Sequence, residues 1–255
     1  MFYALSIGSM LGYTIQTLLL VHHARKIDGL SLAFYRNISF VITLLPLCTG
    51  SSRTDFAFAL DHWYYFAIAG LAGGIYLALS YTSYRAIPVG IHTTITKASS
   101  TITITALGWW YFGERITLHA GFIIAIILFG SLLLGMQRSS FAHLNNRHLY
   151  GFSLCVLSAI PLALTTLAFA AMTRQDIPLL SGYLWEISIA CASAVLMVFR
   201  YLFLRIPLQK ISWRMFLRIA LCSSPTLLGT GFFSIALSMG PVAIVNAIGS
   251  SSIAH

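Results

Sequence analysis

Apolar runs of about 17 to 25 residues dominate the chain, and each is long enough to cross a bilayer as a helix. They fall at Phe2 to His22, Ser31 to Leu47, His62 to Tyr84, Val89 to Phe112, Leu118 to Met136, Tyr150 to Thr173, Ser181 to Leu204 and Trp213 to Ser238. A further run opens at Pro241 and stops with the sequence at His255. Backbone polar groups in hydrocarbon must pair within their own segment, and runs this long are not the short alternating strands of a barrel. The pattern therefore predicts an all-α integral membrane fold with eight complete transmembrane helices and the start of a ninth. Aromatic clusters, such as Trp63 to Tyr65 and Trp109 to Tyr111, mark span ends as girdle residues do.

The segment PVGIHTTITKASS (Pro88 to Ser100) returns in degraded form as PVAIVNAIGSSSI (Pro241 to Ile253), 153 positions later. An odd number of spans separates the copies, so the second lies upside down relative to the first. That predicts an inverted repeat of five-helix units around a central site. The first unit would occupy residues 1–137 and a polar linker 138–149. The second, incomplete unit would occupy 150–255.

Composition removes the soluble classes. Hydrophobic residues make up 58% and charged residues 8%, with mean hydropathy +0.85, too little polar surface to cover a water-soluble core. The net charge of +9 would suggest nucleic acid in a soluble domain; here the basic residues sit in loops, so no nucleic-acid partner is expected. Arg25, Lys26, Arg85, Arg138, Arg147, Arg200, Arg205, Lys210, Arg214 and Arg218 fall on one face, against Arg53, Arg115 and Arg174 on the other. By the positive-inside rule this predicts an outside N-terminus. The first span has no basic residue before it and Arg25 and Lys26 after it, so it reads as a retained helix rather than a secretion signal. Cys48, Cys155, Cys191 and Cys222 lie in apolar runs without metal or redox spacing, and catalytic motifs are absent. Neither metal nor cofactor is expected, and the chain does not read as an enzyme.

The fourth span carries the strongest chemical signal. Thr93, Thr96, Lys97, Ser100 and Thr103 form a polar stripe that should turn away from lipid, toward a cavity or a close helix neighbour. Lys97 lies about 12 Å into the span at 1.5 Å per residue, where a charge needs water, a partner, a solute, or a route back to the interface by snorkelling. Arg36 and Glu186 lie at corresponding depths of spans two and seven with opposite signs, as a translocation path or a pair of interface anchors. Together with Lys97, Thr93, Thr96 and Ser100 they form the candidate solute-binding set. Gly70 and Gly74 have the spacing of a close helix crossing. Pro161 and Pro225 interrupt spans six and eight, as hinges or static kinks. Glu186, His92 and Lys97 are too few for a proton relay, so facilitated movement or exchange fits at least as well.

The chain resembles the drug/metabolite transporter superfamily, in particular its EamA-type members. The resemblance rests on Phe34, Tyr35 and Arg36 opening span two, on IPVGIHTTITKASS, on Gly113, Glu114 and Arg115 closing span four, and on Gly121 and Gly130 in span five. It implies two inverted five-helix halves, a central cavity, and ATP-independent movement of amino acids, nucleotides or other metabolites, most simply in a bacterial inner membrane. Three departures stand out. The proline usual in mid span four is replaced by Ser100, Thr101 and Ile102; the basic-residue count opposes the usual cytoplasmic N-terminus; and the last helices are missing. The third leads to the expectation of an inactive truncated fragment, or of a homodimer or another chain supplying the missing helices. A receptor or membrane-embedded enzyme is the rival class; the scattered acids and short loops count against an enzyme, and a receptor does not require the repeat.

Overall fold

The structure, a computed structural model, describes residues 1–113 and 146–250, with positions 121, 122, 125, 126 and 129 between them. Apart from those five positions, the span expected at Leu118 to Met136, together with Glu114, Arg115, positions 138–145 of the linker and the tail 251–255, lies outside the described residues. What is described is helical throughout: α1 (Phe2–Ala24), α2 (Gly29–Thr43), a 3-10 turn (Leu45–Cys48), α3 (Arg53–Asp61), α4 (Trp63–Ser83) and α5 (Val89–Phe112). After the gap come α6 (Asn146–Thr173), α7 (Pro178–Leu204), α8 (Trp213–Ser223), α9 (Thr226–Met239) and α10 (Val242–Ser250).

The helix ends follow local chemistry. Asp28 caps α2 by accepting from the Ser31 amide at 3.0 Å, and Ser212 caps α8 through the Met215 amide at 3.3 Å. Gly113 ends α5 in the left-handed region at φ 63°, which a glycine adopts without a Cβ penalty. Three differences from the apolar pattern have physical causes. The expected loop between spans two and three contains α3, started by a reciprocal Ser52 and Asp55 capping box. The eighth span is split at Pro225, which has no amide hydrogen to donate back to the preceding turn, so α8 and α9 flank it. The end of the linker, Asn146 to Leu149, is already the first turn of α6, which runs on through Pro161.

Among the described residues five stretches are long and apolar enough to cross a membrane: Phe2–Ala24, Trp63–Ser83, Leu149–Thr173, Pro178–Leu204 and the broken Trp213–Met239. Their polarity is reversed relative to a helix in water. In α1 the exposed positions are Ile7, Leu11, Ile15 and Leu18, while Ser6, Ser9, Gly12 and Gln16 are buried. Such a helix is stable only if its outer solvent is apolar. The protein is thus a multi-pass integral membrane protein.

Several packing relations recur between α1–α5 and α6–α10. α4 lies beside α2 and α6, and α9 lies beside α7 and α1; α5 touches α6 and α10, and α10 touches α5 and α1. α2 and α7 run antiparallel against each other: Asp28 meets Arg200, Asn37 meets Ser193, and the Val41 carbonyl meets Tyr183. Leu20, Leu77, Phe169, Trp185, Ile189 and Phe233 form the apolar centre of the bundle.

Candidate functional site

A cavity of about 140 Å³ lies inside the bundle, walled by α1, α2, α4, α5, α6, α7, α9 and α10. A volume of that order accommodates several waters or a small solute. Its wall includes Arg36, Thr93, Thr96, Lys97 and Glu186, so five of the six candidate binding residues border one space. Ser100 does not: it is buried and its hydroxyl donates to the Lys97 carbonyl at 3.0 Å. The glycines and prolines belong to the framework. Gly70 faces the Ser188 backbone of α7, Gly74 faces Ala192, Pro161 lies within α6, and the Pro225 carbonyl approaches Gly12 of α1.

Arg36 and Glu186 are buried, at 4% and 2% exposure, and meet with Nη1 and Oε2 3.9 Å apart. That distance is Coulombic contact without a hydrogen bond. The guanidinium is held by other groups. Its Nη1 donates to Asn37 Oδ1 at 2.7 Å, and its face lies 4.5 Å from the Phe40 ring centre. The Gln16 amide, oriented as its neighbours require, accepts from Nε at 2.6 Å and Nη2 at 3.1 Å, and donates to Thr226 Oγ1 at 2.9 Å. Glu186 uses one oxygen only: Oε1 accepts from Thr230 Oγ1 at 3.1 Å, and Tyr13 hydrogen-bonds that same hydroxyl at 2.9 Å. Oε2 has no hydrogen-bond donor among the described residues.

On the α5 side, Lys97 is half-buried and makes no ion pair or side-chain hydrogen bond among the described residues. One turn earlier, His92 is fully buried, its Nδ1 against Ser83 Oγ at 2.5 Å and Cys155 Sγ at 3.2 Å. Thr96 Oγ1 reaches Ser158 Oγ at 3.2 Å, pinning α5 to α6. Trp185 stacks on Phe169 at 4.3 Å between ring centres, and its Nε1 donates to Thr165 Oγ1, which in turn donates to the Ala69 carbonyl. Sequence reasoning missed Gln16, Tyr13, Asn37, Thr230 and Trp185. The available signal was Gln16, the lone amide in an otherwise apolar or hydroxyl-bearing span.

A second feature ties the halves at the end where Arg25 and Arg85 lie together. Asp28 Oδ1 accepts from Arg200 Nη1 at 2.6 Å, and its backbone amide donates to Gln209 Oε1 at 2.8 Å. Partial burial opposes ionisation of Asp28, but the hydrogen bonds and charge of Arg200 and the Ser31 donor outweigh it and lower its pKa below the usual carboxylate value.

No cluster of three or more His, Cys, Asp or Glu suited to a metal occurs among the described residues. The arrangement instead offers an enclosed space bordered by the charged side chains of Arg36, Lys97 and Glu186.

Comparison with known proteins agrees with this architecture. A solved structure described only as "Crystal structure of protein" matches with a TM-score of 0.69 at 14% identity, over 98% of this chain and 84% of that one. At that identity the likeness is one of fold. No curated protein matches the chain. The family model of the EamA-like transporter family matches residues 1–136. The polar interior in an apolar exterior, the shared fold and that match over half the length lead to one conclusion: the chain belongs to the EamA-like transporter family.

Proposed function

We propose that this protein is a secondary, ATP-independent transporter that moves a small polar metabolite or amino-acid-like solute through the central cavity by alternating access between two inverted halves. The observation that carries the reading is the convergence of Arg36, Lys97 and Glu186, each from a different helix, on one buried space. Intramembrane charges are costly, and they persist where they meet a solute path or one another. The exchange-symmetric packing and the antiparallel α2 and α7 support the inverted arrangement. In this reading Lys97, with Thr93 and Thr96 beside it, contacts the solute. The end bearing Arg25, Arg85 and Arg200 faces the cytoplasm of a bacterial inner membrane, with the N-terminus outside.

Lys97→Met tests it. Methionine keeps the length and apolar stem and removes the charge, so membrane insertion and yield should match the parent while uptake or excretion in a metabolite screen falls by at least about tenfold. Unchanged flux in that variant removes Lys97 from the solute path and leaves the reading without its main support.

A further inference from the structure

The two charges at the middle of the α2–α7 seam are not equivalent. Arg36 is saturated on three sides: Gln16 of α1 holds Nε and Nη2, Asn37 of α2 holds Nη1, and Phe40 covers the face. Both holders are themselves anchored across helices, Gln16 to Thr226 of α9 and Asn37 Nδ2 to Ser193 Oγ of α7 at 3.1 Å. A guanidinium and a carboxylate free to choose would close to a bidentate pair near 2.8 Å, roughly 1 Å shorter than what is seen. Here they stop at 3.9 Å, and Glu186 Oε2 is left buried with no donor. An unsatisfied carboxylate oxygen in a buried site is costly unless something arrives to satisfy it.

We propose that Gln16 and Asn37 are positioning residues that hold Arg36 off Glu186, so that Glu186 Oε2 remains as a subsite for an ammonium group of the transported solute. The proposal rests on the transport reading for its biological meaning and adds the charge class the site selects. The groups that face Glu186 fit that role. Arg36 supplies a counter-charge from α2 at 3.9 Å without hydrogen-bonding the carboxylate. Thr230 from α9, backed by Tyr13 from α1, fixes the other oxygen. Trp185 and Phe233 border the same cavity and offer ring surface for the carbon skeleton that bears the ammonium. The remaining cation of the cavity, Lys97 on α5, has no acceptor among the described residues and would repel a second ammonium from its own side. An ammonium-bearing solute is thereby oriented, with its positive end toward α7. Loosening the clamp frees the guanidinium to close on Glu186, which fills the subsite from within and removes the preference for a cation.

The test uses the purified full chain in detergent micelles, with binding measured by titration calorimetry for two probes of equal shape: 2-phenylethylammonium and uncharged 2-phenylethanol. The parent should bind the ammonium probe about tenfold or more tighter, the scale of one charge-assisted hydrogen bond. Glu186→Gln, which is isosteric, should lose the preference, binding the ammonium probe no more tightly than the alcohol. Gln16→Leu should lose the preference while keeping its affinity for 2-phenylethanol, an outcome that a general loss of structure would not give. Gln16→Glu retains an acceptor for the guanidinium and should retain the preference, and Asn37→Ser should weaken it independently. A preference that survives Glu186→Gln places the cation elsewhere and overturns the subsite; one that survives both Gln16→Leu and Asn37→Ser overturns the clamp. Equal binding of the two probes by the parent, or binding of neither, overturns the inference as a whole. Neither result touches the Lys97 flux assay, on which the transport reading stands or falls.

Discussion

Gly70 and Gly74 share one face of α4, yet the structure assigns them opposite tolerance to a single methyl group. A Cβ built on Gly70 would lie 2.5 Å from the Ser188 carbonyl oxygen and 2.7 Å from its carbon, both backbone atoms of α7. Close C···O contacts stop at about 3.3 Å, so α4 would have to withdraw by about 0.8 Å. A gap of that size forfeits roughly a quarter to a half of the dispersion well for the contacts along the seam. Overpacking of this kind costs about 1–3 kcal/mol, and we take the upper end because rigid backbone receives the clash. Replacing a helical glycine by alanine returns about 1 kcal/mol of propensity, which leaves a net loss of about 2 kcal/mol. At Gly74 the nearest atoms are Ala192 Cβ at 3.3 Å and Leu196 Cδ1 at 3.4 Å, side-chain atoms that yield by tenths of an ångström. There the crowding and the propensity gain should cancel to within about 0.5 kcal/mol. Reversible unfolding of each variant by SDS in mixed micelles, followed by circular dichroism, reads both values against the parent. Equal effects of Gly70→Ala and Gly74→Ala, in either direction, would refute the assignment of the close crossing to Gly70.

The polar tie between Asp28 and Arg200 should give the fold an acid-sensitive component. Because the folded pKa of Asp28 lies below the unfolded one, near 4 for aspartate, the contribution is complete above about pH 4 and is lost as pH falls through the depressed folded value. Asp28→Asn should flatten the stability profile there, and a profile identical to the parent's below pH 4 would remove the tie from the account. Trp185→Phe keeps a ring to stack on Phe169 but removes the donor to Thr165, which should cost about 1–2 kcal/mol in the same SDS titration. Thr165→Val in the Trp185→Phe background should then add less than it does alone, since the two act through one chain of hydrogen bonds; full additivity counts against that chain.

What the sequence made legible were violations of the lipid environment's preferences. A run of hydroxyls with a lysine in α5 contradicts its own hydropathy, and Thr93, Thr96 and Lys97 do border the cavity. Ser100 sits on the same stripe and does not, because a serine in a helix satisfies itself on the carbonyl of the preceding turn and needs no cavity. Arg36 and Glu186 stood out by matched depth and opposite sign. Their 3.9 Å approach was not readable, because it depends on how α2 and α7 cross, which no single span encodes. Nor was the clamp: Gln16 is distant from Arg36 in sequence, and Asn37, though adjacent, points its amide to Ser193 on another helix. The short helix α3 was hidden by mixed composition, although Ser52 and Asp55 carried the spacing of a capping box.

The placement of these groups constrains how any transport cycle would proceed. Arg36 lies on α2 and Asp28 caps it, while Glu186 and Arg200 lie on α7, so both ion pairs span the α2–α7 seam. Any relative movement of α2 and α7 would change both separations together. The outer pair, more exposed than the inner one, is the cheaper to break, since exposure to solvent reduces a pair's net contribution. The inner pair is dearer, because separating buried charges leaves each uncompensated. An ammonium brought to Glu186 by the proposed solute would replace part of that lost interaction and so lower the cost of separation. Under the proposed cycle, coupling between occupancy and movement would need no external ion, because one buried carboxylate would be shared between the guanidinium of Arg36 and a mobile cation.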